Sequence, residues 1–325
     1  MPLVLTDADV RALFDWRSAI AELRKAYALP YSPAMFPPRT MARGDGLWLR
    51  TLSGVNPHTG LMGAKLIAAS IRNRRASYLI SLFDQESTQL VALVDGASIT
   101  GFRTAATSAL ATDALAPARP LAVGVIGSGF EARMHLRALS SIREITGVRV
   151  FSPNPANRER FAQELADTGV PIAAADSGRA AAAGADLVIC AARSHDESPT
   201  LMGDWLEATA TVISIGSTLP EQREIDTSVV ARASVIVADV VEEVAHDTGD
   251  MLAARRAGID FEPRLVALAD VVADPTRVRK YDGLRIYKSV GAALQDLTIA
   301  AMCVARARES SFGTELPAAI APVLK

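Results

Sequence analysis

The sequence predicts an α/β protein in which a doubly wound parallel sheet is inserted into an α+β domain. Three observations carry this expectation. Across residues 118–292, fully apolar runs alternate with helix-patterned segments, as in strands buried on both faces beneath crossover helices. From Thr40 to Leu93 the strand-like runs are separated by turn residues instead, which suits a largely antiparallel sheet. After residue 292 a single long helical pattern remains, and it is assigned to the same domain as the N-terminal part. The division is therefore residues 1–117 with 293–325, and residues 118–292.

Taken in order, Asp7 to Leu29 repeats apolar residues at helical spacing (Val10, Leu13, Phe14, Ile20, Leu23, Tyr27), with Thr6 or Asp7 as N-cap. Tyr31 to Pro38 is a proline-punctuated loop. GLWLRTL, GAKLIAAS, ASYLISLFD and QLVALVD read as strands, with NPHTG and DQEST as turns between them. Ser98 to Leu115 is an alanine-rich helix whose exit is marked by Pro117 and Pro120. PLAVGVIG then reads as strand, GFEARMHLRALSSI as helix, VRVFS as strand and NPANRERFAQELADTG as helix. DLVICAA, ATVISIG and ASVIVAD are further apolar strands, and VGAALQDLTIAAMCVARARES is the last helix.

Composition narrows the function. The chain has 325 residues, 50% hydrophobic and 22% charged, with a net charge of −2. Such a balance lacks the basic excess that nucleic acid or an anionic membrane surface would attract. Aromatic residues make up only 5%, too few for base-stacking platforms. MPLVLTDADV lacks the basic and apolar regions of a secretory signal. No uncharged apolar stretch reaches the roughly 18 residues of a membrane helix. Cys190 and Cys303 lie in apolar surroundings and suit buried, inert thiols in a reducing cytoplasm.

Gly127-Ser128-Gly129-Phe130-Glu131-Ala132 follows the strand ending at Ile126 and opens a helix. Gly127 permits a tight turn, Gly129 lets the backbone approach a pyrophosphate, and Ala132 allows close helix–strand packing. Free N–H groups at the helix start face the anion. In a full strand–turn–helix–strand unit this is a Rossmann dinucleotide site. A carboxylate at Glu131 repels phosphate unless it turns outward. Where NAD-specific sites place an acid, at the end of the next strand, the chain reads Phe151-Ser152-Pro153-Asn154. Ser152 and Asn154 suit a 2′-phosphate, with Arg158 or Arg160 supplying charge. The site therefore favours NADP(H), with NAD(H) left open.

The ordered motifs PPRTM (37–41), GAKLI (63–67), VDGASITGFRTAATSALA (94–111), VIGSGFEARMHLRAL (125–139), IGSTLPEQREID (215–226) and YKSVGAALQDL (287–297) together resemble the ornithine cyclodeaminase/mu-crystallin family. The resemblance implies an NAD(P)-dependent oxidoreductase acting on a small amino or imino acid. It also implies a homodimer paired through its N-terminal sheets, with residues 1–117 and 293–325 serving substrate binding and dimerisation. Arg39, Lys65 and Arg103 fall where the family holds the substrate carboxylate, Lys65 and Arg103 being the catalytic candidates. An α-carboxylate needs such charged donors to fix the α-carbon against a nicotinamide. Thr104, Ser194, Gly216 and Ser289 fall at cofactor-proximal positions, and Ala192 replaces a cofactor-side threonine of the cyclodeaminases.

One departure divides the functions. True ornithine cyclodeaminases carry an aspartate in the IGSTLP-type loop where this chain has Thr218. A neutral hydroxyl cannot serve as a base near neutral pH, whereas reduction of an activated iminium needs little base help. The leading expectation is thus a reductase of small cyclic α-imino acids, such as pyrroline- or piperideine-2-carboxylate, giving an L-amino acid. Ornithine cyclodeamination, amino-acid dehydrogenation and non-catalytic nucleotide or ligand binding are the alternatives. His195, Asp196, His246 and Asp247 are further acid/base candidates. No histidine pair has metal-ligand spacing, so no metal is expected.

Overall fold

The computed structural model describes every residue except 195, 318, 319, 324 and 325. The chain divides into two compact units, Met1–Arg103 with Ala292–Lys325, and Thr104–Gly291. The first begins with β1 (Leu3–Leu5), α1 (Asp7–Leu13) and α2 (Trp16–Ala28). Sequence periodicity predicts one helix here. The structure has two, because Asp15 caps a fresh start by accepting from the Ser18 N–H at 2.9 Å and the Ser18 hydroxyl at 2.6 Å. Thr6 caps α1 in a reciprocal box with Asp9.

A meander follows: β2 (Thr40–Gly44), β3 (Leu47–Asn56), β4 (Leu61–Ser70), β5 (Arg75–Asp84) and β6 (Leu90–Asp95), each antiparallel to the next. β1 joins the far side of β6 in parallel, a three-residue strand too short to leave a sequence pattern. Alternation sorts the side chains. Leu52, Ile67, Ile80, Leu82, Ala92 and Val94 are buried. On the opposite face Leu47 is 55% exposed and Leu49 45%, with Val55 and Leu79 also exposed.

α3 (Ala97–Leu115) leads into the second unit. The boundary falls inside this helix, at Arg103/Thr104, and not at residue 117 as the sequence predicts. The later turns of α3 belong with the second unit because they pack there, Ser108 Oγ lying 3.0 Å from His135 Nε2. Strands and helices then alternate: β7 (Leu121–Ile126), α4 (Phe130–Ile142), β8 (Ile145–Phe151), α5 (Pro155–Glu164), β9 (Ile172–Ala174), α6 (Gly178–Ala182), β10 (Leu187–Cys190), β11 (Thr211–Ser214), α7 (Thr227–Arg232) and β12 (Ala233–Ala238). The unit closes with α8 (Val241–Asp247), α9 (Gly249–Arg256), β13 (Leu265–Ala267), α10 (Leu268–Ala273), α11 (Thr276–Arg279) and β14 (Leu284–Lys288).

All eight strands are parallel, in the order β13-β12-β14-β11-β10-β7-β8-β9. Every residue of β10 and β11 is buried, which explains their unbroken apolar sequences. The strand order reverses between β7 and β10, the switch point at which doubly wound sheets bind ligands.

The chain returns to the first unit as α12 (Ala293–Ser310) and β15 (Thr314–Glu315), the latter beside β1. α12 covers the inner face of the meander, with Ala293 clustered on Leu52 and Ile67. Its burial is so complete that Gln295, Asp296 and Thr298 are interior and must find partners there. Among the described residues no helix is long and apolar enough to cross a membrane.

Candidate active site

In the second unit, Gly127, Ser128 and Gly129 make the turn between β7 and α4. Gly127 has φ +107°, and a Cβ there would lie 2.6 Å from the Ala191 carbonyl oxygen. No side chain fits. Its N–H donates to the Phe151 carbonyl at 2.8 Å, tying the turn to the end of β8. Gly129 is the N-cap of α4 without a side-chain hydrogen bond, and a Cβ on it would meet nothing within 4 Å. Open space before the uncapped start of a helix of 13 residues is what a pyrophosphate requires. The site therefore fits a dinucleotide. Ala132 is fully buried, and Phe130 and Glu131 form the first turn. Glu131, whose carboxylate would repel phosphate unless turned outward, is half-exposed with Oε2 buried.

At the end of β8, Ser152 is buried and its hydroxyl bonds that of Ser128 at 3.0 Å. Asn154 is exposed and caps α5, its side-chain oxygen accepting from the Ala156 N–H at 3.0 Å. Arg158 lies against the sheet, with its guanidinium 5.2 Å from the Phe151 ring centre and Nη1 donating to the Ala175 carbonyl at 2.6 Å. Arg160 is exposed and bonds Asn157. Of the two arginines, Arg158 is the one held in place.

The first unit contains the cationic cluster. Lys65 stands on the inner face of β4, between Leu52 and Ile80 in register, and is only 1% exposed. Its ammonium donates to Asp296 Oδ1 at 2.9 Å. Arg103 Nε donates to the same oxygen at 3.1 Å, and Nη1 to Gln295 Oε1 at 2.7 Å. Gln295 Nε2 in turn donates to the Tyr27 hydroxyl at 2.8 Å. Two cations thus share one oxygen of a fully buried carboxylate. Asp296 Oδ2 is buried and has no partner among the described residues. Arg39 is half-buried in the loop before β2 and stands outside these two hydrogen bonds. Sequence reading missed Asp296 and Gln295; the available signal was an adjacent polar pair inside an otherwise apolar helix.

The remaining candidates lie in the second unit. Ser194 Oγ donates to the Ser198 carbonyl at 2.7 Å, and the Gly216 N–H donates to Glu224 Oε2 at 2.9 Å. Thr218 is half-buried, with its N–H and hydroxyl 2.9 and 3.2 Å from Gln222 Oε1. Thr104 is buried in α3. The buried Ser289 hydroxyl donates to Asp239 Oδ2 at 2.7 Å, which also receives the Gly291 N–H, so Ser289 anchors the turn after β14. His195 lies outside the described residues. Asp196 is exposed, and hydrogen bonds led by the Ser198 hydroxyl hold its carboxyl at about 2, too low for proton exchange near neutrality. His246 and Asp247 are exposed on α8.

A glycine-turned switch point in one unit and a buried cluster of Lys65, Arg103 and Asp296 in the other are the marks of a Rossmann-type oxidoreductase. The chain belongs to the ornithine cyclodeaminase/mu-crystallin family, whose profile matches residues 57–311. It is 29% identical to the iminosuccinate reductase of Paracoccus denitrificans (strain Pd 1222) over 237 residues, 73% of this chain and 72% of that one. It is 30% identical to the ketimine reductase mu-crystallin of Mus musculus over 233 residues, 71% of this chain and 69% of that one. The structure of Thermococcus litoralis Delta(1)-pyrroline-2-carboxylate reductase in complex with NADH and L-proline is similar with a TM-score of 0.88 and 26% identity, covering 97% of this chain and 100% of that one.

Proposed function

We propose that the protein reduces a small cyclic α-imino acid to the L-amino acid with a nicotinamide dinucleotide, preferring NADPH to NADH. The observation that carries this reading is the convergence of Lys65 and Arg103 on one buried oxygen of Asp296, which holds two cationic side chains side by side. Two such side chains would fix the orientation of a substrate carboxylate. Arg39 is assigned as a further donor to that carboxylate. When bound, the reduced nicotinamide supplies the hydride for the imine carbon. The iminium nitrogen arrives protonated, so the protein has to position and desolvate and need not remove a proton. Thr218, a hydroxyl bonded to Gln222, is compatible with that task and is not a base for the amine of ornithine. The named activities of the relatives, reductions of imines, support the same reading.

The NADPH preference rests on Ser152 in place of an acid and on Arg158, which is held at the end of β8. A homodimer is favoured by the apolar outer face of the meander, where Ala42, Leu47, Leu49 and Ala68 line a groove of about 580 Å³. A second copy of the same face would bury those leucines; light scattering of Leu49→Asp, expected as monomer, tests this. The buried free thiols Cys190 and Cys303 suit a cytoplasmic setting. The decisive experiment is an absorbance screen of cyclic imino acids and ornithine with each nicotinamide cofactor. Rapid oxidation of NADPH by a cyclic imino acid is expected. Rapid conversion of ornithine, with no imine reduced, would overturn the reading.

A further inference from the structure

Beneath the ends of β10, β11 and β14 lies a second buried ionic cluster, formed by Glu224, Asp250 and Lys288. Each is at most 1% exposed. Lys288 Nζ donates to Ser214 Oγ at 2.8 Å and to Asp250 Oδ2 at 3.0 Å. Ser214 passes its own proton on, donating to Glu224 Oε2 at 2.5 Å. That oxygen also accepts the Gly216 N–H at 2.9 Å, and Oε1 accepts the Ala192 N–H at 3.3 Å. Asp250 Oδ1 holds the chain at Glu224 by accepting its N–H at 2.9 Å. The loop backbone is pressed against the carboxylate so closely that a Cβ on Gly216 would come within 2.4 Å of Oε1.

Stability alone does not call for this, since apolar residues of similar volume generally serve as well as a buried ion cluster. What the carboxylate does that an apolar side chain cannot is hold two backbone N–H groups, one at the end of β10 and one at the end of β11. Those strands lie across the switch point from β8 and β9. A dinucleotide straddles the switch point, so with the 2′-phosphate end at β8 its nicotinamide half falls on the β10–β11 side.

We propose that Glu224 is a positioning residue for the nicotinamide half of the cofactor, locking the Ala192 and Gly216 loops from below while Lys288 and Asp250 hold it in register. This rests on the dinucleotide-dependent reading above. The ionised carboxylate serves the lock best: the Ala192 and Gly216 N–H groups and the Ser214 hydroxyl all donate to its oxygens, and a protonated carboxyl gives up one acceptor. Burial pushes the Glu224 carboxyl up to about 7, with Asp250 adding to the rise and Lys288, the Ser214 hydroxyl and the Gly216 N–H opposing it. The other ionisable neighbours are Arg223, 3.3 Å from Asp250, and the Cys190 thiol, which burial pushes well up. The lock therefore loosens as the pH falls through neutrality.

The test uses full-length Glu224→Gln and two calorimetric probes: NADPH, and 2′-phospho-ADP-ribose, which lacks the nicotinamide ring. The amide offers one acceptor oxygen in place of two, leaving one loop N–H facing an NH₂ group. NADPH should bind about tenfold more weakly to the variant, and the truncated probe within about twofold of the parent. Without nucleotide, amide exchange at Ala192 or Gly216 should quicken. In the parent, NADPH affinity relative to the probe should drop as the pH falls through neutrality, and in the variant it should not. Ser214→Ala, which removes the bridging hydroxyl with little change of volume, should move NADPH affinity the same way and keeps the test open if the glutamine variant fails to fold. Equal loss of both probes, or no change in either, would overturn the proposal. Failure of the unmodified protein to bind either probe would instead remove the dinucleotide reading itself.

Discussion

Removing the Arg103 guanidinium tests the carboxylate clamp most directly. Arg103→Ala deletes the bonds to Asp296 at 3.1 Å and Gln295 at 2.7 Å from a residue only 7% exposed. Lys65 remains on Asp296 at 2.9 Å, so the buried carboxylate keeps a cation. Folding thus avoids most of the 3–5 kcal/mol lost when an isolated buried pair is broken. The loss left over, from the bond that Gln295 Oε1 gives up and a cavity, is about 1–2 kcal/mol. Substrate binding is hit harder, because a charge-assisted contact to the carboxylate is worth about 2–4 kcal/mol. That corresponds to a fall of roughly 30- to 1000-fold in kcat/KM. Arg103→Lys keeps the charge without the planar fork and should fall between. Steady-state kinetics on the best cyclic imino acid, with NADPH affinity measured by calorimetry as a control, gives the answer. Turnover within about threefold of the parent would refute the clamp, because no substrate carboxylate could then depend on this residue.

Other substitutions separate the remaining assignments. Ser152→Asp sets a carboxylate beside Ser128 at the end of β8 and should shift the NADPH:NADH affinity ratio toward NADH by about tenfold or more; an unchanged ratio would remove Ser152 from cofactor discrimination. Thr218→Asp supplies a base and should raise ammonia release from ornithine while slowing imine reduction, and no gain in ammonia would count against Thr218 as the dividing residue. Glu224 titrates at about 7 in the fold against an ordinary 4.5, so between those values the folded state binds more protons than the unfolded state. Its contribution to stability is therefore fully present below about pH 4.5 and is lost as the pH rises through about 7, on the order of 3 kcal/mol in all. Denaturant unfolding across that range should show a flatter pH dependence for Glu224→Gln, and superimposable curves would exclude the shift.

What could be read from the sequence was what the backbone demands locally. The Gly127–Gly129 turn is legible because a tight strand-to-helix turn leaves no room for a Cβ at Gly127, and that requirement is written in adjacent residues. Lys65 and Arg103 were reached through the family resemblance of GAKLI and GFRTAA. Their partner was not, because Asp296 is 231 residues from Lys65 and no local pattern encodes that distance. The second start at Asp15 was hidden by apolar spacing that runs through the break, and β14 by Arg285 and Lys288, which break up its apolar run. The division inside α3 was missed because a helix carries no punctuation where its packing partner changes. Asn154 and Ser289 show the limit on residue type: a helix cap or an anchored turn uses the same polar side chains as a ligand site.

The return of the chain after residue 291 to finish the first unit also has a bearing on how the protein is made. During synthesis the meander leaves the ribosome long before α12 does. Until α12 emerges, Leu52 and Ile67 lack their contact with Ala293, and Lys65 and Arg103 lack the Asp296 carboxylate. The Thr104–Gly291 unit, contiguous in sequence, can condense in the meantime, so the order of folding is the reverse of the order of translation for the first sheet. A nascent chain stalled before residue 293 would carry an apolar sheet face without α12 and two cations without Asp296, a species for chaperones to hold.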